Sequence, residues 1–428
     1  MIEKRTDWQE RLSPRVNAIA PSGIRKFFDI AAQMEDVISL GVGEPDFVTP
    51  WSIRESCVYG LEQGYTSYTA NRGLPELREE IARHYAKEYD CSYDADTDIL
   101  VTVGVSEALD LVMRAILAPG DEVLIPEPCY VSYQACTILA GGKPVAVPAK
   151  IENEFRITPD ELEEHVTPKT KVLLIGYPNN PTGAIMTRKD LLAIAAFAEK
   201  HDLIVISDEI YGDLTYGGEK HVCFSSLPGM QERTILLNGF SKAYAMTGWR
   251  IGYALGSETL ISTLEAVKNS YNSYTMDAIA LAVGEASIRD EDYFQQTCRK
   301  VSTTRDRSAE ALRALGFTVL PSLTNFLFVT HPNKKAPDIF AALREKGIFI
   351  RYFKLPRIDN YLRITVGTDE QMDKLIAALK EMDKTFYFAD VQCRGHYPSY
   401  ILKEWENKGY HIKMEPDDLA VLEQGCVD

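Results

Sequence analysis

Apolar residues cluster in short runs between positions 99 and 256. The runs are ILVTVG from Ile99, EVLIPEP from Glu122, KPVAVPAK from Lys143, KVLLIGYP from Lys171, LIVISDE from Leu203, TILLNGFS from Thr234 and WRIGYALG from Trp249. Most are nearly continuous rather than alternating, which predicts strands covered on both faces. Helical patterns lie between many of them, in SEALDLVMRAILAPG from Ser106, YVSYQACTILAGG from Tyr130 and RKDLLAIAAFAEKHD from Arg188. Pro-Gly closes the first pattern and Gly the second, both good stop signals. Strand alternating with helix predicts a largely parallel α/β sheet. After about Arg289 a long charged helix leads into FTVLPSLTNFLFV, APDIFAALREKG, IFIRYF, YLRITVG and DEQMDKLIAALKEMDK. That mixture predicts a smaller α+β domain, completed by the N-terminal segment. From Phe388 a short polar tail follows, expected to pack on the main body.

Charge narrows the classes of partner. Of the 428 residues, 46 are Lys or Arg and 62 Asp or Glu, a formal net charge of -16. Such acidity disfavours nonspecific binding to nucleic acid or anionic membranes, yet leaves room for small anionic ligands held by local charge. The eight cysteines form no dense framework, so a reducing compartment is expected. The opening MIEKRTDWQE lacks an apolar signal core, and runs such as LLAIAAFA from Leu191 are too short to span a bilayer. The expectation is a soluble, cytoplasmic protein with no nucleic-acid or membrane partner.

Chemistry gathers at four places. In VTVGVSEALDL a strand ends at Gly104 and a helix begins near Ser106. The free N–H groups of Val105 and Ser106, backed by the helix dipole, would cradle a phosphate; an ordinary strand-to-helix turn is the plainer reading. In YPNNPTG, Pro181 and Gly183 fix a tight turn, and Asn180 can aim its amide into the crevice at the strand's carboxyl end; simple turn chemistry would look alike. In VISDEIYGDL, Asp208 ends an apolar strand, where its carboxylate needs a cationic partner, and Tyr211 can present a phenol to the same place. A helix N-cap followed by a surface tyrosine is the alternative. In LLNGFSKAYAMTGWRIGY, Lys242 sits at a strand end like a nucleophilic amine, and Arg250 returns toward it, able to clamp phosphate through two N–H bonds. A structural ion pair of Lys242 with Asp208 is the alternative.

One ligand uses all four. Pyridoxal 5′-phosphate carries a phosphate, a basic ring nitrogen, a phenolic oxygen and an aldehyde that a lysine can capture as an imine. The motifs SLGVGEPDF, YTANRGLPELREEIA, VTVGVSEAL, PEPCYVSY, YPNNPTG, SDEIYGDL, SKAYAMTGWRIGY and YLRITVG, in that order from Ser39 to Lys384, resemble the fold-type I, class I/II aminotransferases. The resemblance implies a large domain with a mainly parallel seven-stranded sheet covered by helices, over 49–289, and a smaller α+β domain over 290–387. Residues 1–48 would form an arm and part of that smaller domain, and 388–428 an extension of unknown role.

The resemblance also implies roles. Lys242 would be the internal aldimine lysine and, once released, the base that moves the α-proton. Asp208 would pair with the ring nitrogen, Tyr211 and Asn180 with the phenolic oxygen, and Tyr130 would stack on the ring. Val105, Ser106, Ser241 and Arg250 would bind phosphate; Gly239 stands where many relatives have serine. Arg363 would hold the substrate α-carboxylate, with Gly43 letting the backbone approach. Tyr68 would reach the phosphate of a neighbouring subunit, making a homodimer with shared sites, and Tyr271 to Tyr274 would lie at the same junction. The reaction implied is ping-pong transamination between an L-amino acid and a 2-oxo acid such as 2-oxoglutarate. The same lysine also suits a β-lyase acting on cysteine thioethers. A cofactor-sensing regulator would need a basic helix-turn-helix domain, which the acidic chain disfavours. In the tail, Cys393, His396, His411 and Cys426 could supply four zinc ligands, although their later spacings fit no common site and incidental residues are the plainer reading.

Overall fold

The computed structural model describes residues 11–19, 37–44, 48–215 and 220–383, together with the backbone of two short strands at 385–387 and 411–413. Each of the seven apolar runs forms a strand: β2 (Ile99–Val103), β3 (Glu122–Glu127), β4 (Lys143–Pro148), β5 (Thr170–Gly176), β6 (Ile204–Asp208), β7 (Thr234–Gly239) and β8 (Ile251–Leu255), after a short β1 (Ile38–Ser39). They build one sheet in the order β2-β8-β7-β6-β5-β3-β4. Only β8 runs against its neighbours, pairing antiparallel with both β2 and β7. The reversal matters for function. It brings the start of β8 to the edge where β2 and β7 end, with Val103 opposite Ile251 and Gly239 opposite Gly252.

Successive strand residues face opposite sides, and both sides are buried. Val101 and Leu236 join one core with helix residues Leu77 and Ile81. Leu100 and Leu237 join another with Leu109, Val112 and Met113 of the helix Gly104–Ile116. The helix Arg188–Lys200 is set by a capping box, in which Thr187 accepts from Asp190 N and the Asp190 side chain accepts from Thr187 N.

A second, antiparallel sheet has the order β12-β13-β10-β9, from β9 (Thr318–Val319), β10 (Phe326–Thr330), β12 (Arg351–Tyr352) and β13 (Leu362–Thr365). The IFIRYF run is shared between two pairings. Its first part, β11 (Ile348–Phe349), pairs in parallel with β1, and its second part is β12. Helices Glu291–Ala314, Ala336–Glu345 and Asp369–Asp383 accompany this sheet, and Leu312, Leu343 and Leu375 pack with Leu327 and Ile364 in a separate core. The fold is α/β, with a mainly parallel seven-stranded sheet and a smaller α+β part. In the tail, β15 (His411–Lys413) pairs in parallel with β14 (Thr385–Tyr387). Among the described residues, no helix is long and apolar enough to cross a membrane.

Candidate active site

A cavity of about 450 Å³ opens at the carboxyl edge of the parallel strands, where ligands bind in open α/β sheets. Val105, Ser106, Tyr130, Asn180, Asp208, Tyr211, Ser241, Lys242, Arg250 and Arg363 all line it. Residues far apart in the chain converge because β2, β6 and β7 end there and β8 begins there.

One end of the cavity suits an anion. The helix Gly104–Ile116 starts directly on β2, a little earlier than its sequence pattern suggests, with Gly104 at φ +68°. A Cβ on Gly104 would stand 2.6 Å from Arg250 Nη2, and one on Gly252 would stand 2.3 Å from the Gly104 carbonyl carbon and 2.5 Å from Val105 N. Two glycines therefore let the helix start press against β8 and beside the Arg250 guanidinium. Arg250 itself takes a left-handed conformation (φ +56°) and donates from Nη1 to Thr247 O at 3.2 Å. A Cβ on Gly239 would meet Ile251 O at 2.7 Å and Gly252 Cα at 2.8 Å, so the paired backbone leaves no room for a side chain at that position.

Asp208 is buried, and its partner is not a cation. Tyr133 Oη donates to Oδ2 at 2.7 Å and Ile210 N to Oδ1 at 3.2 Å. Burial raises its pKa to about 6, against the lowering effect of these two hydrogen bonds. The alternative ion pair with Lys242 does not form; Lys242 Nζ instead donates to Gly43 O at 2.8 Å. Burial, and then the charge of Arg363, lower the Lys242 pKa to about 8. Tyr211 is buried rather than superficial, edge-on to Phe326 with centroids 5.5 Å apart. Its pKa is pushed up to about 12, chiefly by burial. Its hydroxyl has no hydrogen-bond partner among the described residues.

The segment carrying Asp208 and Tyr211 is anchored from behind. Glu209 accepts from Ser207 Oγ at 2.8 Å and Phe224 N at 2.9 Å, and bonds His221 Nε2 at 2.6 Å. Asp213 bonds His84 Nε2 at 3.1 Å and accepts from Tyr89 Oη.

Arg363 sits on β13, buried, opposite Phe328 of β10. Its Nη1 donates to Asn180 Oδ1 at 2.6 Å and its Nη2 to Gly41 O at 2.7 Å, while Nε is buried without a partner. Burial, and more weakly the charge of Arg351, bring its pKa down to about 10 against the opposing effect of Tyr211. Gly43 (φ +77°) lies against it: a Cβ there would be 3.3 Å from Arg363 Nη2. Gly43 N is held by Thr365 Oγ1 at 3.0 Å. Tyr68 stands apart from the cavity, 86% exposed, with its ring 5.1 Å from that of Tyr274. Tyr271 and Tyr274 are exposed as well.

Sequence reasoning missed three residues of this site: Tyr133, Arg351 and Phe353. Tyr133 falls three positions after Tyr130, where a helical turn turns both toward one place. Arg351 is an arginine inside the apolar run IFIRYF, the kind of signal that singled out Lys242 and Arg250. Of the tail's zinc candidates, Cys393, His396 and Cys426 lie outside the described residues and His411 is described only in its backbone. Among the described residues, no group of three or more His, Cys, Asp or Glu side chains could hold a metal ion.

The family described as aminotransferase class I and II matches residues 35–379. The chain belongs to this family. It is 49% identical to an aspartate aminotransferase of Pyrococcus abyssi over 396 residues, covering 87% of this chain and all (100%) of that one. It is 39% identical to aromatic-amino-acid aminotransferase 2 of Thermococcus litoralis over 396 residues, covering 86% of this chain and 98% of that one. Among solved structures, a Pyrococcus protein designated A1 superposes with a TM-score of 0.80 at 38% identity, covering 86% of this chain and 98% of that one. An aminotransferase is therefore the enzyme that these residues build, and the relatives' names divide over its substrate.

Proposed function

We propose that the cavity binds pyridoxal 5′-phosphate and transfers an amino group from an L-amino acid to a 2-oxo acid, with 2-oxoglutarate as the acceptor. The observation that carries this reading is a buried carboxylate, Asp208, without a cationic partner, sharing one cavity with an amine of lowered pKa. The donor set fits the cofactor. Asp208 suits a protonated ring nitrogen, which would supply the cation that the protein withholds. The Tyr211 hydroxyl and the Asn180 amide nitrogen, both without protein partners among the described residues, suit the phenolic oxygen. Arg250, Ser241 and the helix start at Val105 and Ser106 suit the phosphate. Tyr130 lines the cavity as a stacking surface.

When bound, the cofactor supplies an aldehyde that captures amino groups and a protonated ring that draws electrons from the substrate α-carbon. The protein does the rest. Lys242 would hold the cofactor between turnovers and, when released, accepts the proton from the α-carbon and returns it to the carbon on the far side of the substrate nitrogen, two atoms away. A pKa of about 8 leaves roughly a tenth of the free amine neutral at pH 7, enough to act as a base. Arg363 holds the substrate α-carboxylate, and Asn180 and Gly41 fix the guanidinium plane. That orientation selects which α-carbon bond is broken. The first 2-oxo acid leaves before the second enters, so initial-rate plots at several acceptor concentrations should be parallel.

Lys242→Ala should still take up cofactor but lose turnover by a factor on the order of 10³ or more. Borohydride treatment of cofactor-loaded wild-type protein should leave the reduced label on the peptide that contains Lys242. A label on another peptide, or near-normal turnover of the variant, would refute the assignment.

A further inference from the structure

The cavity holds one cation that this reading leaves unused. Arg351 lies directly opposite Arg363 in the antiparallel pair of β12 and β13, so the two side chains leave the sheet on one face. Both line the cavity. Phe353 serves both guanidiniums: its ring centroid is 5.2 Å from Arg351 Cζ and 5.9 Å from Arg363 Cζ. The difference between them is in their partners. Arg363 has donors committed to Asn180 and Gly41, whereas Arg351 makes no hydrogen bond or ion pair among the described residues. The carboxylates lining the cavity are engaged elsewhere, Glu44 by the Thr247 hydroxyl and Asp208 by Tyr133. Half-buried, Arg351 is partly desolvated and lowers the pKa of Arg363 in turn, after burial. Two adjacent like charges, neither of them in an ion pair among the described residues, are unfavourable until an anion joins them.

We propose that Arg351 forms a second anion subsite, which receives the side-chain carboxylate of a dicarboxylic amino acid or 2-oxo acid whose α-carboxylate is on Arg363. The assignment rests on the transamination reading above. The side chain between the two carboxylates would lie along the Phe353 ring, and the planar guanidinium suits a carboxylate by paired N–H bonds. Arg351 is thus a specificity-determining residue, and it favours aspartate, glutamate and their oxo acids over aromatic donors.

The test compares half-reactions of cofactor-loaded enzyme with L-aspartate, L-glutamate, O-phospho-L-serine, L-phenylalanine and L-leucine, in wild type, Arg351→Met and Arg351→Lys. Methionine keeps the apolar stem on Phe353 while removing the charge. The ratio of kcat/KM for dicarboxylic over neutral donors should fall on the order of 10- to 100-fold in Arg351→Met, mostly through KM, with partial recovery in Arg351→Lys. Phosphoserine distinguishes the anion. Discrimination against it supports a subsite built for carboxylate, and preference for it over aspartate would overturn the carboxylate assignment. Independently of any variant, succinate should bind wild-type enzyme at least tenfold tighter than butyrate in a calorimetric titration. An unchanged ratio in a wild type active on neutral donors, or equal binding of succinate and butyrate, would overturn the subsite alone. Absence of transamination with every donor would overturn the reading beneath it as well.

Discussion

At the scale of single residues, the site is assembled from groups whose ionisation the fold makes unfavourable. Asp208 has a folded-state pKa of about 6, against 3.8 for the free side chain. The shift is upward, so the folded chain binds a proton more readily than the unfolded one. The associated cost is absent below about pH 4, grows as pH rises and is complete above about pH 6, at roughly 2–3 kcal/mol. Asp208→Asn removes the ionisation while keeping an oxygen to accept from Tyr133. In cofactor-free protein the variant should match wild type near pH 4 and be more stable by roughly 2–3 kcal/mol at pH 8, measured by urea unfolding. Equal stability at pH 8 would show that the carboxylate is not held at a cost. Asp208, Lys242 and Arg250 were legible in the sequence because charged groups within or at the ends of apolar runs are rare, whereas Arg363 stood out only through its family motif and Arg351 not at all. Their partners were not legible. The carboxylate at 208 announces a need for a partner without saying that Tyr133 meets part of it, because that contact depends on how β6 and the helix Ser132–Ala140 sit together in space.

At the scale of elements, continuous apolar runs of five to seven residues were readable as strands, and all seven entered one sheet. The two-residue strands β1, β9, β11 and β12 carry no periodicity of their own, and only tertiary pairing defines them. The reversed direction of β8 has no periodicity signal, only the expected return of Arg250 toward Lys242, yet it creates the anion end of the cavity. Gly252 reports how tight that junction is. A methyl group there would overlap the Gly104 carbonyl carbon and Val105 N, atoms of backbone that cannot swing aside. Gly252→Ala should therefore cost roughly 1–3 kcal/mol of stability, and should weaken inorganic phosphate binding by pushing the helix start away from Arg250. Gly248→Ala, where a Cβ would meet nothing within 4 Å, should change stability by no more than about 0.5 kcal/mol. Urea denaturation and phosphate titration of the two variants distinguish a packed junction from a tolerant turn.

At the scale of the whole molecule, a chain of net charge -16 gathers Lys242, Arg250, Arg351 and Arg363 into one cavity, so small anions are drawn by a local field opposite to the global one. Outside that cavity, Trp51, Tyr59, Leu61, Tyr68, Tyr271 and Tyr274 are all more than half exposed. Exposed aromatic and apolar side chains of this kind are ones that a second copy of the chain could cover through a two-fold interface. Tyr68, which touches nothing in its own cavity, would then reach the phosphate end of its partner's. Subunit mixing separates this arrangement from a self-contained site. In a hybrid of Lys242→Ala with Tyr68→Ala, a shared architecture puts both lesions in one site and leaves the other intact. Random exchange of equal amounts makes half of the dimers hybrid, each with one working site of two, so activity should return to about a quarter of wild type. If each chain uses its own Tyr68, every hybrid site carries a lesion and mixing restores nothing. Sedimentation velocity on the mixture confirms that dimers have formed and exchanged before the activities are compared.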